Sequence, residues 1–171
     1  EPVFSRDCPE FSITTPGGGR LWLLVNHFKS KVGDQRASNA KRKAQATRVA
    51  EIYAELRGRG EAHVAIVGDL NDTPASAPLE PLLSTDLKDV SAFANFDDGG
   101  FPGTYGGSTA SNKIDYILLS PGLHGKVTGG AIFRRGMWPG VRPRKWDVYP
   151  TLTKEVEAAS DHGAIYVDLD L

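Results

Sequence analysis

The chain has 171 residues, of which 40% are hydrophobic and 24% charged, a composition typical of a soluble globular protein with one domain of ordinary size. Its 20 lysines and arginines nearly balance 21 aspartates and glutamates, which excludes a global electrostatic attraction to nucleic acid or acidic membrane, so an anionic ligand needs a local site. Cys8 is the only cysteine, which excludes an internal disulfide and a zinc site built from cysteines.

The N-terminus carries no recognisable targeting signal. The first residues, EPVFSRDCPEF, lack the basic region, apolar stretch and cleavage site of a signal peptide. No apolar run approaches the roughly 18 residues that a membrane-spanning helix needs, so we expect no membrane span. The sequence starts without a methionine, which favours a processed or trimmed chain and leaves open an upstream signal or domain. The compartment is therefore unknown.

The first third of the sequence predicts a β-hairpin followed by a long helix. Residues 11–15 alternate between apolar and polar, PGGG at 16–19 supplies a turn, and LWLLVNHF from Leu21 is typical of an apolar strand. Residues 36–57 are rich in Ala, Lys, Arg, Gln and Glu, and apolar residues recur at the spacing of one helical face, namely Val49, Ile52, Tyr53 and Leu56. Gly58 and Gly60 are expected beyond the helix end.

The remaining elements complete an α/β pattern. HVAIVGD is a continuous apolar strand, so residues 21–68 form a β-α-β unit whose strands we expect to be parallel. Further along we predict a short helix at 76–83, a long loop at 97–112, strands at 113–120, 131–135 and 164–171, and a surface excursion at 136–159. We expect a single domain over 1–171 with a mixed β-sheet flanked by helices.

Polar side chains follow two of the predicted strands at the point where each strand ends. VAIVGDLNDT at 64–73 stops abruptly on Asp69, Asn71 and Asp72, and the earlier strand ends on His27. Asp and Asn could simply form a turn there, since both types hydrogen-bond their own backbone. If the two strands are parallel, however, His27 and Asp69 share the sheet edge at which α/β proteins place ligands.

Asp115 is the least ordinary of the polar residues, because it interrupts an apolar strand where an unpaired carboxylate is costly. Asp161 and His162 precede the last strand. A histidine, several carboxylates and an asparagine are the groups that phosphate-ester hydrolysis requires: a base for water, donors to phosphate oxygens and ligands for a hard divalent cation. No serine or cysteine nucleophile with an adjacent base is evident.

Four short motifs carry a resemblance to a known family. NHFKS at 26–30, GDLND at 68–72, IDYIL at 114–118 and SDH at 160–162 resemble, in this order, the endonuclease/exonuclease/phosphatase superfamily, which includes pancreatic deoxyribonuclease. The resemblance covers nearly all of the chain but only the C-terminal half of the family's domain. It implies one half of a four-layer α/β/β/α sandwich, and phosphodiester or phosphomonoester hydrolysis that depends on Mg²⁺, with Mn²⁺ or Ca²⁺ as alternatives.

The resemblance also assigns roles. His27 would contact the scissile phosphate or assist the leaving group, Asn71 would donate to phosphate, and Asp69 would orient or deprotonate the attacking water. Asp115 would pair with His162 and hold its ring, which would account for a carboxylate in an apolar strand.

The metal site is expected to be incomplete. Asp161 would lie close to the metal, and Lys29 is a weaker candidate for a phosphate contact. The family's principal metal ligands, an Asn and a Glu, belong to the N-terminal half, and Glu10, Glu51 and Glu55 stand in other contexts. We therefore expect the isolated chain to be largely inactive, because charge on the transferred phosphoryl group would not be neutralised.

A nuclease-like phosphodiesterase is the first functional hypothesis, with a phosphate ester, including nucleic acid, as substrate. The alternatives are a phosphatase or phosphodiesterase acting on phospholipid or inositol phosphate head groups, and a non-catalytic binding domain. The excursion at 136–159 has aromatic and basic residues suited to stacking and phosphate contact, or to pinning the loop: Trp138, Arg142, Arg144, Lys145, Trp146 and Tyr149.

Half a sandwich would leave an apolar sheet face uncovered. The residues expected on that face are Ile13, Val64, Ile66, Ile165, Val167 and those of 21–25. Large exposed apolar patches are unusual on monomers. We therefore expect the chain either to bind a missing N-terminal half or to self-associate through this face.

Overall fold

The computed structural model describes residues 2–4, 6–141 and 143–171, and it confirms the predicted α/β class. In these residues, eight strands and three α-helices follow one another along the chain: β1 (Glu10–Thr14), β2 (Arg20–His27), α1 (Gln35–Gly58), β3 (Val64–Asp69), α2 (Glu80–Leu83), β4 (Lys88–Asp89), β5 (Phe96–Asp97), β6 (Asp115–Leu119), α3 (Pro121–His124), β7 (Val127–Phe133) and β8 (Ala164–Leu169). Short 3₁₀ turns cover 90–92, 110–112 and 155–157.

The strands form two sheets. The larger sheet has the spatial order β1-β2-β3-β6-β4, and only its β2–β3 pair is parallel among the pairs described. The smaller sheet has the order β5-β7-β8, with β5 parallel and β8 antiparallel to β7. The predicted hairpin of β1 and β2 and the parallel β-α-β unit of β2, α1 and β3 are both confirmed.

One face of the larger sheet packs against α1. Asp34 caps this helix by accepting a hydrogen bond from the backbone N–H of Ala37, and the four predicted apolar residues of the helix are buried. They pack against strand residues that are at most 1% exposed: Leu24, Val64, Ile66, Tyr116 and Leu118. This cluster has more fully buried residues than the cluster on the other face of the sheet.

The opposite face of the larger sheet packs against the smaller sheet. Ala65, Ile117 and Leu119 from β3 and β6 join one apolar cluster with Ile165 and Val167 from β8. Several members of the cluster are only half-buried, namely Leu21, Leu23, Val67, Ile165, Val167 and Leu169. The layer between the two sheets is therefore less completely covered than the layer under α1.

The structure corrects several details of the sequence prediction. Val64 and Ile66 face α1 and not the open side, because alternation along β3 assigns Ala65 and Val67 to the layer between the sheets. Ile165 and Val167 lie opposite the larger sheet, so that face is partly covered within the chain. Gly58 is the last residue of α1 and not a residue beyond it.

The bounds of the later elements also differ. The strand expected at 131–135 begins earlier and covers Val127–Phe133, and β4, β5 and α3 were not predicted. Two-residue strands and single helical turns are too short to give a periodic signal. Within the part of the chain that the structure describes, no helix has the length and apolar character needed to cross a membrane.

Candidate active site

Three strand ends meet in one row across the larger sheet. His27 at the end of β2 is in register with Asp69 at the end of β3, and Asp69 is in register with Asp115 at the start of β6. The parallel strands β2 and β3 both end at this edge, and β6 begins there because it is antiparallel to β3. Nε2 of His27 lies 3.7 Å from Oδ2 of Asp69, so the two predicted residues share one site.

The second sheet contributes His162, which stands just before β8. Its Nδ1 lies 2.9 Å from Oδ2 of Asp115, and the two side chains are 30% and 15% exposed. This contact satisfies a carboxylate that interrupts an otherwise buried strand. It also joins the two sheets at the end of the sandwich where the row of strand ends lies.

Asp69 and Asn71 form a tight turn directly after β3. The backbone N–H of Asn71 donates to Oδ1 of Asp69 at 2.8 Å, and its amide Nδ2 donates to Oδ2 at 3.0 Å. Nδ2 also donates to the carbonyl of Phe28 at 3.0 Å, and the backbone of Asn71 has φ 54°. The amide thus connects the loops after β2 and β3, and a donation to phosphate would require it to exchange one of these partners.

Burial raises the pKa of the Asp69 carboxyl, and the nearby charge of Asp115 adds to this shift. The hydrogen bond from the backbone of Asn71 and the charges of His162 and His27 act in the opposite direction without cancelling the shift. A carboxylate with a raised pKa accepts a proton more readily than an exposed one. This property suits a group that takes a proton from water.

Gly68 allows β2 and β3 to approach each other just before the site. Its φ is +129°, and a Cβ at this position would lie 1.9 Å from the carbonyl oxygen of Asn26. The obstacle is backbone and cannot move aside, so only glycine fits.

Two buried side chains of α1 hold the loops that carry His27 and Asn71, and sequence reasoning missed both. Arg42 is fully buried, and it donates to Oδ2 of Asp72 and to the carbonyl of Lys29, each at 3.0 Å. Gln45, also fully buried, accepts the backbone N–H of Lys29 at 2.8 Å. The helical spacing from Val49 back to Gln45 and Arg42 is the signal that could have found them.

Asp72 completes this arrangement. Its other oxygen, Oδ1, lies 2.8 Å from Nζ of Lys31. Burial alone would raise the pKa of this carboxyl, but the hydrogen bonds from Lys31 and the Thr73 backbone and the charge of Arg42 outweigh burial and lower the pKa. Asp72 is therefore a charged structural partner of two cations.

Arg134 holds the opposite side of the site by organising the 97–112 loop. This buried guanidinium donates to the carbonyls of Asp98 and Gly103 at 2.8 Å each and to Oγ of Ser108 at 3.2 Å, and burial lowers its pKa. Nothing in the local sequence around Arg134 distinguishes it from a solvated arginine.

Thr104, fully buried in the same loop, links the strands that carry Asp115 and His162. Its hydroxyl accepts the backbone N–H of Asp115 at 3.0 Å, and its carbonyl accepts the N–H of Gly163 at 2.7 Å. The predicted irregular loop is therefore an ordered wall of the site.

Two further residues reach the predicted histidines. The ring of Tyr105 lies 4.9 Å from the ring of His162, and the two residues form an isolated β-bridge. The guanidinium of Arg6 contacts both ring nitrogens of His27, with Nη1 3.1 Å from Nε2. Neither residue belongs to a motif, so the sequence offered no signal for them.

Lys29 and Asp161 stand apart from the row of strand ends. Nζ of Lys29 donates to the carbonyls of Ser30 and Val32, at 3.2 and 2.9 Å, so its amine is held by its own loop. Asp161 is exposed, and its carbonyl accepts the N–H of Gly106 at 2.9 Å. The substrate and metal roles of these two residues stay predictions.

Part of the 136–159 excursion is pinned to the body. Trp146 packs edge-on against Phe101 at 5.5 Å and donates from Nε1 to the carbonyl of Met137 at 3.3 Å. Tyr149 packs against Phe133 at 6.3 Å. These contacts favour the pinning role over a free stacking role for both residues, and Arg142 lies outside the described residues.

Asp69, Asp115 and His162 form a candidate metal-binding group. One ligand atom from each lies within 4.8 Å of the others, and Asp161 is not in this group. Two partly buried carboxylates suit a hard divalent cation such as Mg²⁺ or Mn²⁺, whereas Nδ1 of His162 already faces Asp115. The residues present therefore fit a divalent cation through their carboxylates.

Comparison with known proteins places these residues in a family. The sequence profile described as the Endonuclease/Exonuclease/phosphatase family matches residues 3–162. The chain belongs to this family. No protein with a curated description matches the sequence.

Several solved structures share the fold. A mannosyl-6-phosphatase of Bacteroides thetaiotaomicron superposes with a TM-score of 0.64 at 22% identity over 90% of this chain and 52% of that chain. The human Nocturnin catalytic domain gives 0.57 at 18% identity, over 91% of this chain and 48% of that one. Sphingomyelinase C from Streptomyces griseocarneus gives 0.53 at 20% identity, over 94% and 53%. The chain thus spans about half the length of these structures.

Proposed function

We propose that the chain carries the water-activating and phosphate-contacting residues of a divalent-metal phosphoesterase and forms the C-terminal part of that enzyme's domain. The observation that supports this most is the continuous row from His27 through Asp69 and Asp115 to His162, at one end of the sandwich. Membership of a family of hydrolases supports the reaction class.

In this proposal Asp69 orients a water molecule and accepts its proton. The raised pKa of Asp69 favours proton acceptance, and the two hydrogen bonds from Asn71 fix both carboxylate oxygens. The attacking water must lie within hydrogen-bond reach of an Asp69 oxygen while it faces the phosphorus atom.

His162 and His27 would contact the phosphate from the two sides of Asp69. Nδ1 of His162 donates to Asp115, which fixes the imidazole plane and turns Nε2 away from Asp115 toward a phosphate oxygen. His27 would contact a second oxygen or protonate the leaving group, with Arg6 beside its ring. Asn71 would contribute a further donor.

A bound divalent cation would neutralise charge on the phosphoryl group. Asp115 is the partly buried carboxylate that would help to hold it, with Asp161 next to His162 as the sequence-based candidate. Glu51 and Glu55 pair with Arg48 on the outside of α1, and Glu10 begins β1, so none of these is placed to replace the family's glutamate. We therefore expect weak Mg²⁺ affinity in the isolated chain, which isothermal titration calorimetry would measure.

The first candidate substrate is a phosphodiester, in keeping with a nuclease-like enzyme. The test is hydrolysis of bis(p-nitrophenyl) phosphate with Mg²⁺, by the chain alone and with the N-terminal half of a homologous domain supplied. Activity that requires the second half supports the proposal, whereas no activity in either mixture favours a non-catalytic binding domain. Cleavage of an oligonucleotide against cleavage of an inositol phosphate or phospholipid then separates a nuclease from a head-group phosphoesterase.

Asp115→Asn sharpens this test. In the reconstituted enzyme it should lower kcat by about 10²-fold or more with little change in KM, because a neutral amide that can also donate replaces the charged acceptor that orients the imidazole of His162. Asp168→Asn, an exposed change in β8, is the matched control. An equal loss in both variants would contradict a specific role for Asp115.

The half-buried layer between the sheets supports a proposed partner. Leu21, Leu23, Ile165 and Val167 contribute apolar surface that further strands could cover. We expect binding to an N-terminal half of the domain or self-association. Size-exclusion chromatography with light scattering measures this, and a stable monomer of the chain alone would contradict it.

A further inference from the structure

We propose that Lys113 is a positioning residue of the candidate site, whose ammonium holds the start of β6 so that the carboxylate of Asp115 stays directed at Nδ1 of His162. Lys113 is 5% exposed and acts through the backbone of Asp115, so it is not a catalytic residue. The proposal rests on the proposed hydrolysis for its effect on turnover, whereas its effect on the contact between Asp115 and His162 is measured without substrate.

The start of β6 has a strand on one side only. The larger sheet places β3 on one side of β6 and β4 on the other. The N–H of Leu70 donates to the carbonyl of Ile114 at 2.9 Å, and antiparallel alternation then directs the N–H and carbonyl of Asp115 away from β3. On the other side β4 ends at Asp89, opposite a later residue of β6, so within the described residues no strand lies beside Asp115 there. Both backbone groups therefore need other partners.

Two buried side chains supply these partners. The hydroxyl of Thr104 accepts the N–H of Asp115 at 3.0 Å, and Nζ of Lys113 donates to the carbonyl of Asp115 at 2.7 Å. The second contact is the shorter one and has a charged donor, which makes it the stronger of the two. The two side chains thus take the place of a neighbouring strand, and they fix the direction in which the side chain of Asp115 leaves the backbone.

The ammonium of Lys113 has three N–H donors and three partners. Besides the carbonyl of Asp115, Nζ lies 2.9 Å from Oδ2 of Asp89 and 3.9 Å from the centre of the Tyr116 ring. Oδ1 of Asp89 accepts the backbone N–H of Ser91 at 2.9 Å, which fixes this carboxylate at the end of β4. The ammonium is therefore held in one place, and it presents a fixed donor to Asp115.

The carbonyl of Asp115 matters because the carboxylate of the same residue sets the proton position on His162. Oδ2 of Asp115 lies 2.9 Å from Nδ1 of His162, and a carboxylate at this nitrogen keeps the proton on Nδ1. Without the donor of Lys113, the carbonyl has to turn toward water, and the peptide plane that follows Asp115 turns with it. The carboxylate then loses its fixed direction, and His162 loses its single tautomer.

The test is the tautomer of His162 in the chain without substrate, measured by ¹⁵N NMR after labelling of the histidines. The signals of His162 are those that disappear in His162→Gln. We expect the unsubstituted chain to carry the proton on Nδ1, and in Lys113→Met the fraction with the proton on Nδ1 should fall to about half or less. An unchanged tautomer in folded Lys113→Met would overturn the proposal.

A double variant separates positioning from stability. Lys113→Met leaves the carboxylate of Asp89 without its cation, which lowers the urea midpoint of unfolding. Adding Asp89→Asn removes that charge and keeps an acceptor for the N–H of Ser91, so the midpoint should recover in part while the tautomer change stays. Recovery of the native tautomer in the double variant would show that Lys113 only compensates charge, and would overturn the proposal.

Lys88→Met is the matched control. Lys88 also lies over an aromatic ring, with Nζ 4.0 Å from the centre of Phe93, but it stands opposite Leu119 at the far end of β6. This substitution should leave the tautomer of His162 unchanged. A change as large as that of Lys113→Met would contradict a specific role for Lys113.

Turnover gives a second measurement in the reconstituted enzyme. Lys113→Met should lower kcat for bis(p-nitrophenyl) phosphate about tenfold with KM within about twofold, because the group that orients His162 is misplaced and phosphate contacts remain. A tautomer change in Lys113→Met supports the positioning role even if no phosphodiester is cleaved. Hydrolysis by the unsubstituted enzyme, with neither kcat nor the tautomer altered in Lys113→Met, would overturn the positioning role and leave the proposed reaction intact.

Discussion

Arg42 and Arg134 both lie buried beside the candidate site, Arg42 under the loops after β2 and β3 and Arg134 under the 97–112 loop. Arg42 pairs with a carboxylate, that of Asp72, and donates to one carbonyl of the His27 loop. Arg134 donates to backbone carbonyls and to a hydroxyl, all of them neutral. The same side chain therefore holds the two sides of the site with different partners.

Because their partners differ, we expect Arg42 and Arg134 to contribute differently to the stability of the protein. Loss of Arg42 leaves a buried carboxylate without its buried cation, on the side of the sheet that has the larger buried cluster. Loss of Arg134 leaves carbonyls that water can reach once the loop opens. The side of the site formed by the loops after β2 and β3, which we call the strand side, should thus unfold with the whole molecule. The side formed by the 97–112 loop, which we call the loop side, should open locally.

Arg42→Met tests the strand side and should have the largest effect. We expect the free energy of unfolding in urea to fall by about 3–5 kcal/mol, because Asp72 keeps only the half-exposed Lys31 as a cationic partner. Arg36→Met, an exposed change on the same helix, should stay within about 0.5 kcal/mol. Equal effects of the two substitutions would show that the buried ion pair does not stabilise the strand side.

Arg134→Met tests the loop side. We expect a loss of about 1–3 kcal/mol in the free energy of unfolding, because charged hydrogen bonds to several carbonyls are removed. Amide exchange at Gly103 and Ser108 should accelerate, while exchange of the Lys29 amide, held by Gln45, should not. Arg135→Met, at the exposed neighbour, is the control, and uniform acceleration at all three amides would contradict local opening.

The same contrast explains what the sequence could predict. The hairpin, α1 and the β-α-β unit follow from periodicity and turn residues, and the meeting of His27 with Asp69 follows from two parallel strands ending at one edge. The contact between Asp115 and His162 was expected only from the family resemblance, because the two residues are far apart in sequence and lie in different sheets.

The sequence-based prediction systematically missed the buried polar residues. Ser38, Arg42 and Gln45 continue the buried stripe of Val49, Ile52 and Leu56 at helical spacing, but their polarity is typical of a solvated face. Thr104 and Arg134 belong to irregular or terminal segments with no period. Their burial depends on partners distant in sequence, which local propensity does not contain.

Tyr105→Ala tests a smaller contribution to the stability of the loop side. We expect a loss of about 0.5–1.5 kcal/mol in the free energy of unfolding, because the packing of its ring on His162 disappears. Faster amide exchange at Gly106 should accompany it, with no change at Asn71 on the strand side. Tyr166→Ala on the exposed face of β8 is the matched control for loss of a partly exposed tyrosine.

The rate of alkylation of Cys8 measures opening of the strand side, and this experiment perturbs the molecule least. It packs against the core under α1, and burial, together with the negative charge of Glu10, raises the pKa of its thiol from 9.0 to about 11. Only the thiolate reacts with iodoacetamide, so alkylation at pH 8 should be about 10²-fold slower in the native chain than in urea. Arg42→Met should accelerate native alkylation, because the structure over Cys8 opens with the strand side, and Tyr105→Ala should not. Mass spectrometry of the alkylated chain measures the rate. Equal acceleration by both substitutions would contradict the prediction that the two sides of the site open separately.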